Sequence, residues 1–119
     1  MSNLMGRGVK KIAVSTALSV AATVGVETSA AFSGVAGGVN MSLYVKLTGA
    51  NGGVKVEILC SQDGTSFVVP ETGGTILASI TDELLHIKAI SIPLTIFFKL
   101  RFTNTGAGTV TVDATVLSQ

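Results

Sequence analysis

Residues 95–117, TIFFKLRFTNTGAGTVTVDATVL, decide the fold class of this chain. Apolar and polar side chains alternate on both sides of a short Asn/Gly segment, 104–108. The first apolar row is Ile96, Phe98, Leu100 and Phe102, and the second is Val110, Val112, Ala114 and Val116. Such alternation is typical of strands with one buried face, and the Asn/Gly segment predicts a β-hairpin turn. Because two strands cannot bury their apolar faces alone, we expect the rest of the chain to supply an opposing sheet.

The same alternation recurs through the middle of the chain. The predicted strands cover 41–48, 54–60, 66–69, 75–80 and 85–92. Asn51-Gly52-Gly53 predicts a second hairpin turn and residues 62–65 a third, because Asn, Asp and Gly tolerate the backbone angles of tight turns. The sequence therefore predicts an all-β protein, an antiparallel β-sandwich of seven to nine strands that is either jelly-roll or immunoglobulin-like.

The N-terminal part resembles a signal peptide in composition but not in pattern. Lys10 and Lys11 precede an apolar run, 12–26, and small residues follow at Ala30 and Ala31. Within the run, however, the even positions hold apolar residues except at Thr16, and they are large except at Ala22, whereas the odd positions hold small or polar residues. A signal peptide has no reason to alternate, so we expect an uncleaved pair of strands with a break near 16–19. The run is also too short and polar for a transmembrane helix.

Composition indicates one domain with a basic extension. The chain has 119 residues, of which 13% are charged, and a net charge of +1. Arg7, Lys10 and Lys11 carry the charge of the first eleven residues, whereas the remainder has an excess of acids. We therefore expect a basic arm at 1–11 and a single β-sandwich domain at 12–119. Nucleic-acid binding is disfavoured because it needs clustered Lys and Arg, and so little charge is typical of a surface that a neighbouring protein covers.

Residues that could carry chemistry are few. The single cysteine, Cys60, falls on the apolar side of its strand and is predicted to be a core residue, and the single histidine, His86, has no identifiable catalytic partner. Together they exclude an internal disulfide and the usual Cys/His zinc sites. Asp63, Glu71 and Asp82 could meet at loop ends, but they lack the spacing of a calcium loop. We therefore expect no enzyme activity, no cofactor, no metal and no small-molecule substrate.

An interaction surface remains as the most plausible kind of functional site. The candidates are the cations of the arm and outward-facing strand residues: Arg7, Lys10, Lys11, Tyr44, Leu59, Phe97, Lys99 and Arg101. Several exposed apolar residues on one sheet would mark an interface. Whether Tyr44, Leu59 and Phe97 share a sheet depends on strand order, which the sequence leaves open.

Four segments carry a resemblance to a known class of proteins. They are LYVKLTG at 43–49, VKVEI at 54–58, SQDGTSF at 61–67 and LRFTNTG at 100–106, ahead of a last Val/Thr strand. From Ser42 to Ser118 the chain thereby resembles small β-sandwich structural proteins of tailed bacteriophages, particularly head decoration (cement) proteins. Phe67 stands where hairpins of this kind often have Trp.

The resemblance implies a virion protein that is made in the host cytoplasm and binds the outside of the capsid. It would act as a dimer or trimer and tie major capsid protein subunits together, with no catalytic residues, no nucleic acid and no membrane. Two alternatives remain open. One is another phage structural module of the neck, tail or fibre. The other is a secreted carbohydrate-binding or adhesion module, which would require cleavage near Ala30 or Ala31.

Overall fold

The structure, a computed structural model, describes residues 10–20, 25–28, 32–36, 41–49, 52–92 and 95–118. Within these residues nine strands form and no helix, which confirms the predicted all-β sandwich. The strands are β1 Lys10–Val20, β2 Gly25–Thr28, β3 Phe32–Ala36, β4 Met41–Thr48, β5 Val54–Ser61, β6 Thr75–Ile80, β7 His86–Ile90, β8 Thr95–Asn104 and β9 Val110–Ser118.

The strands form two antiparallel sheets. The four-stranded sheet has the order β1-β9-β4-β7, and the five-stranded sheet has the order β2-β8-β5-β6, with β3 also paired to β8. Along the chain, every connection crosses between the sheets except β2 to β3 and β5 to β6. This wrapping of paired strands around a common core is the jelly roll, one of the two topologies that the sequence left open.

The predicted hairpins at 51–53 and 104–108 are wrong. β8 pairs with β5, β2 and β3, whereas β9 pairs with β1 and β4, so the connection between β8 and β9 crosses from one sheet to the other. The connection between β4 and β5 crosses in the same way. Crossing lets the apolar residues Phe98, Leu100 and Phe102 of β8 face those of β9 across the core. Alternation alone does not distinguish this arrangement from a hairpin.

The turn predicted at 62–65 is confirmed, whereas the strand predicted at 66–69 is reduced to a single bridge between Val68 and Cys60. The backbones of Cys60 and Val68 exchange both hydrogen bonds, with N···O distances of 2.7 and 3.0 Å. Unlike the other two connections, this one therefore returns the chain to the sheet it left.

Strand β1 extends further than the sequence suggested. It starts at Lys10 and runs along β9 to Val20, with register shifts between Ala13 and Ser15 and between Ser15 and Leu18. The break predicted near 16–19 is thus an irregularity within a strand, and the strand ends only after Val20. A β-bulge explains the difference, because it takes up an extra residue without ending the pairing.

The core lies between the sheets. Its fully buried members include Leu43 and Val45 of β4, Phe98 and Phe102 of β8, and Val112 of β9. Cys60 packs against this cluster while partly exposed, in agreement with its predicted place on the apolar side of β5. The described residues include no helix that is long and apolar enough to cross a membrane.

Candidate functional site

The outer face of the five-stranded sheet gathers charged residues from two adjacent strands. Residues directly opposite each other in a pair of strands share a face. Glu57 of β5 lies opposite Arg101 of β8, and Lys55 and Lys99 alternate onto the same face of their strands. We call these four residues the cationic face, because three cations and one carboxylate leave it a net charge of +2.

Glu57 connects two of the cations. Its Oε1 accepts hydrogen bonds from Arg101 Nε and Nη2 at 3.1 and 2.9 Å, and its Oε2 lies 3.7 Å from Lys55 Nζ. The Glu57 side chain is buried beneath these partners, whereas those of Lys55 and Arg101 remain 43% and 34% exposed. The cationic face therefore presents its positive groups to the surroundings and keeps its carboxylate underneath.

A loop covers one end of this face. The Nζ of Lys99 lies 4.2 Å from the centre of the Phe67 ring, a cation–π contact. Gly64 comes so close to Phe97 that a Cβ built on it would lie 3.5 Å from the ring. Leu59, directly opposite Lys99, is only 7% exposed although it points away from the core. Leu59 is therefore not available to a partner, and Phe97 is only partly so.

Asp63 holds the covering loop in shape. Its Oδ1 accepts hydrogen bonds from the backbone N–H groups of Thr65 and Ser66, at 2.8 and 2.9 Å, and from Ser61 Oγ at 2.9 Å. These donors favour the ionised carboxylate, so the pKa of Asp63 falls from 3.8 to about 2, with the Ser66 N–H as the largest cause. Gly64 has a φ of +79°, which a residue with a Cβ rarely adopts.

The lowered pKa of Asp63 predicts a pH-dependent contribution to stability. A depressed folded-state pKa stabilises the fold above the unfolded value of 3.8, and this contribution is lost as the pH falls toward about 2. We expect Asp63→Asn to lower the Tm at about pH 5 and the difference from the wild-type chain to shrink as the pH falls. Circular dichroism melts across this range measure the effect, with Glu71→Gln in an exposed turn as the control. A difference that stays constant down to pH 2 would contradict the prediction.

Tyr44, another predicted contact residue, lies on a different surface. Tyr44 is on the outer face of the four-stranded sheet, opposite Ile87 and Thr115, and hence on the other side of the sandwich from the cationic face. The first two residues of β1 are Lys10 and Lys11. Arg7 lies outside the described residues. Among the candidates whose side chains the structure describes, Leu59, Phe97, Lys99 and Arg101 thus share one surface. Phe67 was not among the predicted contact residues, although it lies just after the Ser-x-Asp-Gly turn.

His86 contacts the turn before β7. Its Nε2 lies 2.7 Å from Asp82 Oδ1, which also accepts a hydrogen bond from the Leu84 N–H at 3.1 Å. The contact with His86 and the Leu84 N–H lower the pKa of Asp82. Within the described part of the chain, no group of three or more His, Cys, Asp or Glu side chains could hold a metal ion, and this includes Asp63, Glu71 and Asp82.

By sequence the chain matches no known protein family and no characterised protein. Its fold is similar to several solved structures. The infectious bursal disease virus VP2 subviral particle gives a TM-score of 0.61 at 12% identity, over 94% of this chain and 32% of that one. The SPBc2 prophage-derived protein YomS gives a TM-score of 0.50 at 15% identity, and PirA gives a TM-score of 0.50 at 13% identity. Each match covers 93% of both chains.

These similarities concern the fold, since identities this low show no more than that. The chain spans 32% of the VP2 chain that it matches, whereas it matches YomS and PirA over nearly their whole length. The protein is therefore an all-β jelly roll whose structural neighbours include viral capsid proteins and a prophage-derived protein.

Proposed function

We propose that this chain is a non-enzymatic virion structural protein that binds the outer surface of a capsid and stabilises contacts between major capsid protein subunits. The observation that carries the proposal is the jelly-roll topology, which aligns 94% of the chain with capsid protein structures. Fold similarity alone is an analogy, because one fold serves many functions. Support from the surface of this molecule is therefore needed as well.

The cationic face supplies part of that support. The sheet carries the side chains of Lys55, Lys99 and Arg101 on this face, and the loop at 62–67 packs over one end of it. Such a face suits an acidic patch on a neighbouring subunit, since complementary charge speeds association and selects the partner. The basic arm, residues 1–11 in the sequence prediction, adds positive charge that would dock on the same kind of surface.

A neck, tail or fibre module is the second candidate. It is favoured by the similarity to the prophage-derived YomS, which covers 93% of both chains and so matches a protein of comparable size. Such a module would form rings or fibres by itself, whereas a decoration protein would bind preformed shells. The secreted-module alternative predicts a mature chain starting near Ala31, without β1 and β2, and an intact-mass measurement on the native protein distinguishes it.

Co-sedimentation with capsid shells that lack this chain tests the proposal. The full chain should bind saturably and raise the temperature at which the shells come apart. A variant without residues 1–9, which precede β1, should keep the circular dichroism spectrum and Tm of the full chain and lose shell binding. Normal binding by this variant would remove residues 1–9 from the proposal and leave only Lys10 and Lys11 of the arm. No binding by the full chain would overturn the decoration function.

Substitutions that remove positive charges test the cationic face separately. We expect the double variant Lys55→Gln/Lys99→Gln to weaken shell binding about tenfold, more strongly at low salt, because exposed charges are screened by ions. Lys46→Gln is the control for the single variants Lys55→Gln and Lys99→Gln, which change the net charge by the same amount, since Lys46 is an exposed lysine on the outer face of the opposite sheet. Equal weakening by the control would mean that net charge acts and not this face.

A further inference from the structure

Arg101 uses part of its guanidinium group to hold Glu57. The hydrogen bonds from its Nε and Nη2 both end on Glu57 Oε1, at 3.1 and 2.9 Å. Within the described part of the chain, the Nη1 group and the second N–H of Nη2 therefore remain for another acceptor. These two groups form the planar fork that binds a carboxylate through parallel hydrogen bonds. Because the Arg101 side chain is 34% exposed, a partner can reach the fork.

Glu57 keeps that fork in a defined direction. Its side chain is only 9% exposed, and its Oε2 faces Lys55 Nζ at 3.7 Å. A buried ion pair often adds no stability relative to well-packed apolar side chains of similar size. Stability therefore does not explain a carboxylate at this position, whereas the orientation of Arg101 does.

The second cation of β8 on this face is held by a different element. Lys99 comes two residues before Arg101, and its Nζ lies 4.2 Å from the centre of the Phe67 ring. Residues two apart on a strand are separated by roughly 6.5–7 Å. Both cations are thus in place before a partner arrives, which reduces the entropy lost when long side chains are ordered on binding.

Charge and spacing together indicate the chemistry of the ligand. Three cations and one carboxylate leave the cationic face enough positive charge for two carboxylates. This is far too little for the phosphates of a nucleic acid, which need a larger cluster of Lys and Arg. In an extended segment, alternate side chains point the same way at the spacing that separates Lys99 from Arg101.

We propose that Arg101 and Lys99 form a receptor for an extended acidic segment of a partner protein that carries carboxylates at alternate positions. The fork of Arg101 binds one carboxylate, and Lys99 binds the next. Glu57 and Phe67 are positioning residues, because they contact the two cations and act through them. This inference rests on the proposed function and deepens it, since it names the chemistry of the surface to which the chain binds.

A pair of blocked peptides tests the spacing. One carries two glutamates separated by a serine, and its isomer carries them side by side with the same net charge. Titration into the isotopically labelled full chain should shift the Arg101 Nε–H signal in NMR spectra. The alternating peptide should bind about threefold more tightly, because adjacent side chains of an extended segment point apart. Equal affinities, no binding of either peptide, or tighter binding of a single-stranded oligonucleotide would overturn the inference.

Two substitutions then distinguish orientation from charge. Glu57→Leu leaves the three cations without a carboxylate, so attraction by charge alone predicts tighter peptide binding. Loss of positioning instead predicts binding about threefold weaker. Arg101→Lys keeps the charge but removes the fork, and should weaken binding about tenfold. Asp113→Asn is the matched control for Glu57→Leu, because it removes one exposed carboxylate from the outer face of the opposite sheet.

The outcomes separate this inference from the decoration function. Tm measurements verify that each variant is folded, and Arg101→Lys decides by itself if Glu57→Leu does not fold. Tighter binding by Glu57→Leu than by the wild-type chain, or normal binding by Arg101→Lys, would overturn the inference. Shell binding without peptide binding would overturn this inference alone, whereas peptide binding without shell binding would overturn the decoration function alone.

Discussion

Replacing Phe102 with alanine should lower the free energy of unfolding by about 3–5 kcal/mol. Phe102 is fully buried on the core side of β8, opposite Val56 of β5, and faces the four-stranded sheet across the core. The loss combines the transfer of a large apolar side chain with the cavity left behind, since two hydrogen-bonded sheets collapse only partly around a void. Urea denaturation followed by circular dichroism measures it.

The same substitution at Phe97 is the matched control. Phe97 is the same residue type on the same strand, but it points away from the core and is partly exposed under the loop at 62–67. Phe97→Ala should therefore lower the free energy of unfolding clearly less than Phe102→Ala does. Equal losses would show that the loop and the outer face are packed as tightly as the core, contrary to the structure.

Asn104→Ala should lower the free energy of unfolding by about 3 kcal/mol, the second largest effect expected. Asn104 ends β8 and is buried, where its Nδ2 donates to the carbonyls of Gly108, at 2.8 Å, and Val20, at 3.3 Å. Its Oδ1 accepts from the Gly106 N–H at 2.9 Å. Alanine leaves these backbone groups without their partner, and the Val20 carbonyl and the Gly106 N–H are buried, where each such group is costly.

The position of Asn104 explains why its loss should be severe. It lies where the chain leaves the five-stranded sheet for β9, and the Thr105 N–H binds the Gly53 carbonyl of the other crossing connection at 2.9 Å. Gly52 and Gly106 are so close that a Cβ on Gly52 would lie 2.2 Å from the Gly106 Cα. Faster amide hydrogen exchange at Gly106 in Asn104→Ala than in the wild-type chain would locate the loss of stability at this end of the sandwich.

The adjacent residue supplies the control for Asn104. Thr103 lies on the outer side of β8 and is partly exposed, so Thr103→Ala should change the free energy of unfolding by about 1 kcal/mol or less. Denaturation of the two variants under identical conditions makes the comparison. If Asn104→Ala were no more destabilising than Thr103→Ala, the hydrogen bonds at this connection would contribute little.

Much of the candidate surface could be predicted from alternation. Lys99 and Arg101 had to lie on one side of β8 because Phe98, Leu100 and Phe102 occupy the other. Two features could not be predicted. Leu59 points outward but is covered, because the loop at 62–67 folds back over its end of the sheet. Ile87 of β7 lies on the outer face, because an edge strand has less of the core to cover.

By itself, the sequence determined that the chain is a β-sandwich and which side chains of β4, β8 and β9 are buried, because side chains along a strand point to alternate faces and only one face can be dry. Only the tertiary structure decided that β8 and β9 lie in opposite sheets, and that Tyr44 lies across the sandwich from Lys99. The physical reason is that alternation specifies the buried side of each strand, whereas hydrogen bonding between strands depends on backbone groups that are the same in nearly every residue.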